Sequence, residues 1–260
     1  MNTDSTTSPT VHALRRRWKP HKQRLLAAGG ERATSIRFHR ACSWMARVEQ
    51  MPDGEENDLA LVSLWIAFNA LYGQWDAQKR EPRLDRESWR AFVDRILALD
   101  CDDYVARALR EHKRLVISLL DDQYLSGFFW QEPSAKRAGQ SRKAAHNAHT
   151  WYIEQRWAKV LDEVLERVYL MRCQLVHGAA TYGGKLNRTS LQHCVMMMQR
   201  LLPALLLVWI DHGANEDWGP MCYPPYSPKG YTVKESAALS GMSDKTVRRD
   251  LILGRRRLDH

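Results

Sequence analysis

The sequence predicts an all-α protein, with a helical bundle over residues 11–215 and a small helix-turn-helix over residues 230–260. Three observations support this fold class. Apolar residues recur at helical spacing in several long runs, and the run Leu59–Tyr72 is apolar nearly all round, as expected for a helix in the middle of a bundle. No convincing strand-like alternation occurs in residues 1–215. Two short helical runs separated by Gly241 indicate the C-terminal unit.

The ends of the predicted helices follow from capping and breaking residues. Asn57-Asp58 is expected to cap the apolar helix. Gly178 is expected to end the long helix predicted over residues 153–177. Pro20 is expected to break the first, basic helix, and Pro203 to kink the last. The predicted helical ranges are 11–28, 34–51, 57–75, 85–99, 102–120, 153–177 and 187–212. Residues 124–130 predict a short helix or a packed loop, and residues 132–149 either a mobile loop or the polar start of the next helix.

The segments outside the bundle have their own compositions. Residues 1–10 are polar and are expected to be disordered. Residues 216–229 contain four prolines, which predicts a semi-stiff linker. Beyond it, Thr232–Glu235 is a capping box that opens the first short helix, and Ser243 caps the second.

The composition favours a polyanionic partner inside a reducing compartment. The formal net charge is +9, which suits nucleic acid or, alternatively, only a solvated basic surface. Five cysteines are scattered without a CxxC pair, so we expect neither a metal site nor a disulfide framework, and no cofactor. Met1–Pro9 lacks the apolar segment of a signal peptide, and the apolar run Leu201–Ile210 is too short to span a bilayer. We therefore expect a soluble, cytoplasmic protein with no membrane partner.

The candidate catalytic residues are Arg172 and His177, near the end of the helix predicted over residues 153–177. Arg-x4-His spacing is weak evidence alone, because a chain of 260 residues with 39 Lys+Arg and 10 His is expected to contain about 1.5 basic-x4-His pairs by chance, and this one holds five Arg-x4-His pairs. The context of Arg172/His177 is different. Apolar residues flank both groups, the helix is the longest amphipathic one, and Gly178 ends the helix so that the histidine lies at the rim of the packed surface. The matching pairs are Arg16/His21, Arg107/His112, Arg172/His177, Arg188/His193 and Arg255/His260.

This pair has the chemistry that RNA cleavage by the ribose 2′-hydroxyl requires. A neutral histidine can take or give a proton near pH 7, and an arginine can stabilise a pentavalent phosphate with paired donors. Helical geometry places the two side chains roughly 140° apart and roughly 7.5 Å along the axis, so two helices across a two-fold axis would share the groups better than one. The alternative is a structural salt bridge at Arg172 and a histidine that only caps the helix.

Two stretches carry a family resemblance: Leu64-Trp-Ile-Ala-Phe-Asn-Ala-Leu-Tyr-Gly73 and Val168-Tyr-Leu-Met-Arg-Cys-Gln-Leu-Val-His-Gly178. With them, about residues 58–212 resemble the HEPN family, in its Apea-like branch. The resemblance implies a homodimer with facing motifs, catalytic roles for Arg172 and His177, and metal-independent endoribonuclease activity, often in toxin–antitoxin or phage-defence systems. Cys173 stands where the family commonly has Asn. Asn69 is expected to be a hydrogen-bonded core residue rather than a catalytic one.

The C-terminal segment resembles the helix-turn-helix of the excisionase and MerR-like group, over about thirty residues from Tyr231. The resemblance implies DNA binding, and a protein-contact hairpin is the alternative. The chain has little room for a wing after the second helix. The expected nucleic-acid-binding residues are Lys245, Arg248, Arg249, Arg255 and Arg256.

Three functional hypotheses follow. The first is a homodimeric endoribonuclease with RNA as substrate, acting as a toxin or phage-defence effector and carrying a DNA-binding tail. The second is a non-catalytic DNA-binding regulator that dimerises through the bundle. The third is a HEPN module that binds an antitoxin or another regulatory protein.

Overall fold

The protein is all-α, as predicted, and its described residues contain one very short pair of strands. The computed structural model describes residues 8–28, 33–52 and 54–224. The helices are α1 Val11–Ala27, α2 Ala33–Val48, α3 Asn57–Tyr72, α4 Asp85–Leu99, α5 Tyr104–Glu111, α6 Lys113–Asp121, α7 Gly127–Gln131, α8 Ala135–Ser141, α9 Lys143–Ile153, α10 Trp157–Val176 and α11 Arg188–Asp211. A 3-10 turn at Gln123–Leu125 precedes α7, and β1 Trp75–Asp76 pairs antiparallel with β2 Glu81–Pro82.

Helix α3 lies at the centre of the bundle, where it contacts α2, α4, α10 and α11. Its nearly all-apolar sequence explains this position, because every face must be covered. Leu61, Phe68 and Leu71 are fully buried. Trp65 packs edge-on against Trp89 of α4, with ring centroids 5.6 Å apart. These aromatic contacts join α3 and α4 into the part of the core that lies behind α10.

Helix α11 is the other central element. By length and composition it could cross a membrane, and it is the one described helix that meets this test. Its most apolar stretch is 72% buried inside the bundle, however, so the core accounts for its apolar residues. Pro203 lies inside the helix and is itself buried.

Several predicted boundaries are wrong. Helix α1 continues through Pro20, with Trp18 and Leu25 buried on either side of it. Helix α3 ends at Tyr72, before the short strands, and no side-chain cap opens it. The helix predicted over residues 102–120 is divided at His112, which separates α5 from α6.

The long helix predicted from residue 153 begins later. Ile153 ends α9, and Gln155, with a φ of +52°, separates α9 from α10. Most of residues 132–149, for which a mobile loop was one expectation, belongs to α8 and α9. Trp44 of α2 is 40% exposed.

The described part of the expected linker, residues 216–224, packs against the bundle. Trp218 is 5% exposed and stacks on Trp209 of α11, with ring centroids 4.3 Å apart and planes at 12°. The buried guanidinium of Arg37 on α2 donates to the carbonyls of Gly73, at 2.7 Å, and of Gly219 and Pro220, each at 3.3 Å. Burial lowers the pKa of Arg37 to about 10. This arginine therefore connects the end of α3 to the segment after α11.

The structure describes part of the N-terminal segment that was expected to be disordered and none of the predicted C-terminal helix-turn-helix. Residues 1–7 of the segment expected to be disordered lie outside the described residues. Ser8 accepts a hydrogen bond from Arg200 at 3.2 Å, and the Thr10 hydroxyl accepts one from the Ala13 N–H at 3.3 Å, which caps α1. The predicted helix-turn-helix over residues 230–260 lies outside the described residues altogether.

Candidate functional site

Helix α10 carries both candidate catalytic residues on a well-anchored scaffold. Val160, Leu161, Val164, Leu165 and Val168 are fully buried at helical spacing. This apolar stripe holds α10 against α3, α4, α6 and α9. After Met171, which is 2% exposed, no residue of the helix is buried, so the polar residues there are positioned by a rigid element rather than by a loop.

The end of α10 is fixed by a Schellman motif. Gly178 has a φ of +72°, its N–H donates to the carbonyl of Leu175 at 3.2 Å, and the N–H of Ala179 donates to the carbonyl of Gln174 at 2.8 Å. Both bonds satisfy carbonyls that the helix end would leave unpaired. The predicted glycine cap is therefore confirmed. His177 occupies the cap position itself, and its side chain is exposed.

Arg172 lies half-buried on a different face of α10. Its guanidinium is 5.9 Å from the ring centroid of Tyr169, one turn earlier. Tyr169 in turn packs against Trp89, with ring centroids 5.1 Å apart, and against Trp65 at 5.6 Å. The aromatic cluster of the core thus fixes the surface on which the arginine rests.

Among the described residues, no carboxylate lies within 4.0 Å of the Arg172 guanidinium. Its polar neighbour within the described chain is the Cys173 thiol, 3.9 Å from Nη1. At that distance to sulfur the contact is weak. The salt bridge considered as an alternative role for Arg172 is therefore not found in the described part of the chain.

A tyrosine that the sequence did not single out lies near enough to Arg172 to be affected by its charge, and an aspartate accepts a hydrogen bond from the hydroxyl of that tyrosine. The Tyr72 hydroxyl at the end of α3 donates to Asp85 at the start of α4, at 3.1 Å. Burial and the neighbouring Asp85 raise the pKa of Tyr72, whereas the positive charge of Arg172 opposes that rise. Tyr169 lies one helical turn before Arg172, which the sequence could have indicated. Tyr72 and Asp85 carry no such signal, because their proximity depends on the packing of three helices.

Arg172 and His177 do not meet in a single chain. No hydrogen bond between their side chains is present in the described structure. Leu170 and Gln174, which share the His177 side of the helix by helical periodicity, line a cavity of about 630 Å³ beside the loop that follows α10. Arg172 instead faces Tyr169. The two sides of α10 therefore have different surroundings, which agrees with the expected separation of roughly 140° between the Arg172 and His177 side chains around the helix axis.

The other Arg-x4-His pairs have different surroundings. Arg188 forms an ion pair with Asp58, at 2.5 Å between Nη1 and Oδ2. Arg107 lies over the ring of Tyr104, 5.3 Å from its centroid. His21 stacks on Trp18, with ring centroids 5.5 Å apart. The pair Arg255/His260 lies outside the described residues.

Asn69 differs from its expected role as a core residue. It is half-buried and lines a cavity of about 350 Å³ together with Tyr72 and Asp85. Its Oδ1 lies only 2.7 Å from the position that a Cβ at Gly73 would take, so a larger residue at position 73 would displace the amide. The conformation of Asn69 thus depends on the glycine that follows α3.

Lys245, Arg248, Arg249, Arg255 and Arg256 all lie outside the described residues. Within the described ranges, no three His, Cys, Asp or Glu side chains are grouped as metal ligands would be. Comparison of the chain with protein-family models, with curated proteins and with solved structures finds no match.

Proposed function

We propose that the protein is a metal-independent endoribonuclease of the HEPN type. The observation that carries the proposal is that one rigid helix end holds two residues of the required kind. One is a half-buried arginine with no carboxylate partner among the described residues, and the other is an exposed histidine. An unneutralised guanidinium held on an aromatic surface is available to a phosphate. The resemblance of the sequence around Arg172 and His177 to the HEPN motif supports the same assignment.

The reaction uses the substrate's own 2′-hydroxyl as the nucleophile. As the 2′-oxygen attacks the adjacent phosphorus, His177 takes the proton of the 2′-hydroxyl, and the guanidinium of Arg172 stabilises the charge that develops on the phosphate oxygens. The P–O5′ bond breaks and the departing O5′ takes up a proton, which leaves a 2′,3′-cyclic phosphate and a free 5′-hydroxyl. DNA lacks the nucleophile and is therefore not cleaved.

The active form is a homodimer in this proposal. Arg172 and His177 lie on different sides of α10, so one helix presents them poorly to a single phosphate. A two-fold axis near the end of α10 would bring the arginine of one copy towards the histidine of the other. Val176, Tyr182 and Leu186, close to His177, are 50%, 65% and 84% exposed. Such exposed apolar side chains support a protein contact at this end of the helix.

The cellular role is proposed from the resemblance and not from the fold. The protein would act in the cytoplasm as a toxin or phage-defence effector, with an antitoxin or regulatory protein as partner. Residues 230–260 would bind DNA to localise the enzyme or to regulate its promoter.

The test is cleavage of end-labelled single-stranded RNA by the purified protein in EDTA, beside Arg172→Ala and His177→Ala. His193→Ala, from the pair whose arginine is bound to Asp58, is the matched control. Cleavage by wild type and His193→Ala alone, with 2′,3′-cyclic phosphate ends, supports the proposal. Equal cleavage by all four proteins, or no cleavage by wild type, contradicts it.

A further inference from the structure

A second cavity, lined by residues of α1 and α2, contains none of the residues around Arg172. Its volume is about 420 Å³, which lies within the range of about 300–1,000 Å³ that is usual for small-molecule sites. All of its lining residues lie between His12 and Cys42. The cavity is therefore separate from the proposed nuclease residues, and its function does not depend on them.

The cavity is strongly cationic. Four of its lining residues are Arg15, Arg16, Lys19 and Lys22, and no carboxylate is among the lining residues. Within the described ranges, none of these four side chains has a carboxylate within 4.0 Å, whereas Arg17 on the other side of the same helix is paired with Asp211 at 2.6 Å. Four converging positive charges repel one another unless an anion lies between them.

Helical spacing explains why the cations converge. Arg15, Lys19 and Lys22 recur at four and three residues, so they share one face of α1. They also reach towards α2: partial burial, together with the charges of Arg15 and Lys22, lowers the pKa of His39. Burial raises the pKa of Cys42 to about 12, and Arg15 opposes this rise. The cations of α1 therefore act across the cavity on the opposite helix.

The bottom of the cavity is apolar. Trp18 of α1 stacks on Phe38 of α2, with ring centroids 4.7 Å apart and planes at 25°, and both rings line the space. A cavity of this volume is much larger than a bare phosphate ion requires. A flat aromatic group of a ligand could also stack on the guanidinium of Arg15 or Arg16, because guanidinium groups stack on aromatic rings better than ammonium groups do. The ligand that fits best carries a phosphate for the cationic rim and a flat, apolar group for the interior.

We propose that the cavity between α1 and α2 binds a nucleoside 5′-phosphate. The shared chemistry is a phosphate joined to a ribose and a planar base, and its source is either a free mononucleotide or the 5′ end of an RNA. This binding site is additional to the proposed cleavage site at the end of α10.

The experiment measures equilibrium binding to the full-length protein of adenosine 5′-monophosphate, adenosine and inorganic phosphate. It also measures binding of a short 2′-O-methyl RNA with and without a 5′-phosphate. The 2′-O-methyl groups remove the nucleophile that RNA cleavage needs, so binding is measured even where no nuclease activity exists. The variant Arg15→Gln/Lys19→Gln/Lys22→Gln removes three cations from the cavity, and Lys79→Gln/Arg114→Gln/Lys143→Gln removes the same charge from exposed sites elsewhere. Lys19→Glu alone reverses a charge on the exposed rim and leaves Arg15 and Lys22 unchanged.

The proposal expects a 5′-phosphorylated ligand to bind wild type and the control triple variant alike, and the cavity variant at least about tenfold more weakly. Lys19→Glu should weaken binding in the same direction. Binding of the monophosphate alone identifies a free nucleotide, and preference for the 5′-phosphorylated RNA identifies an RNA end. Failure of every 5′-phosphorylated ligand to bind wild type overturns the proposal. Equal binding of RNA with and without the 5′-phosphate also overturns it, because a general basic surface would then be sufficient.

Discussion

Asp58 and Arg188 form a two-pronged ion pair between the first turns of α3 and α11. The Arg188 Nη1 and Nη2 atoms lie 2.5 and 3.0 Å from the two carboxylate oxygens of Asp58. The Asp58 side chain is 8% exposed, and that of Arg188 is 32% exposed. The pair ties together the starts of the two central helices and also neutralises a cation at a helix N-terminus, where positive charge is unfavourable.

Asp58→Asn should destabilise the protein by about 2 kcal/mol, because it leaves a partly buried guanidinium without its counter-charge. Urea unfolding measures the change. Arg110→Gln is the matched control, since Arg110 and Asp103 are 3.9 Å apart and mostly exposed, at 55% and 72%. That control should change stability by less than about 0.5 kcal/mol. Equal effects of the two variants would show that the Asp58 pair contributes nothing beyond a surface charge.

Arg172→Ala and His177→Ala, each inactive alone, should restore activity when both chains are present in one dimer. In the proposed composite site, the mixed dimer has one site that lacks both groups and one that is intact. The purified mixed dimer should then have about half of wild-type activity, and an unfractionated random mixture about a quarter. Co-expression with two different affinity tags, purification of the mixed dimer through both tags and RNA cleavage measure this. No recovery from a verified mixed dimer would show that both groups act from the same chain.

The sequence predicted the fold class and the position of the candidate residues, because both depend on local patterns. The periodicity of Val160, Val164 and Val168 identifies α10, and Gly178 correctly indicates where it ends. Local patterns were less informative at helix breaks. Gln155 separates α9 from α10 in a left-handed conformation without a glycine or proline to indicate it.

Proline was misleading in two places, for physical reasons. Pro20 removes one backbone donor from α1, but buried Trp18 and Leu25 hold the helix on both sides of it. The prolines after residue 216 suggested a linker, whereas Trp218 and the carbonyls bound by Arg37 fasten the first part of that segment to the bundle. Composition reports local stiffness and does not report contacts between residues more than 180 positions apart.

Gly178→Ala should destabilise the protein by about 1 kcal/mol. No atom lies within 4 Å of the Cβ position, so the cost comes from the left-handed backbone, at a φ of +72°, and not from a clash. Because His177 precedes this residue, RNA cleavage should fall more than the loss of folded protein explains. Gly139→Ala within α8 is the control: its Cβ position is equally open, its φ is not positive, and alanine should stabilise that helix slightly. Similar unfolding curves and similar activities for the two variants would show that the left-handed conformation of Gly178 neither stabilises the protein nor positions His177.

Trp218→Ala should destabilise the bundle by about 3 kcal/mol, because it removes a 5%-exposed ring that stacks on Trp209 of α11. Trp44→Ala, at a tryptophan that is 40% exposed, should cost less than about 1 kcal/mol.

Truncation of the chain provides a second measurement of what the segment around Trp218 contributes to stability. A chain that ends at Gly213 should unfold at a much lower urea concentration than one that ends at Pro224, because it loses Trp218 and the carbonyls of Gly219 and Pro220 that Arg37 binds. If the two truncated chains were equally stable, residues 216–224 would behave as the linker that their prolines suggest.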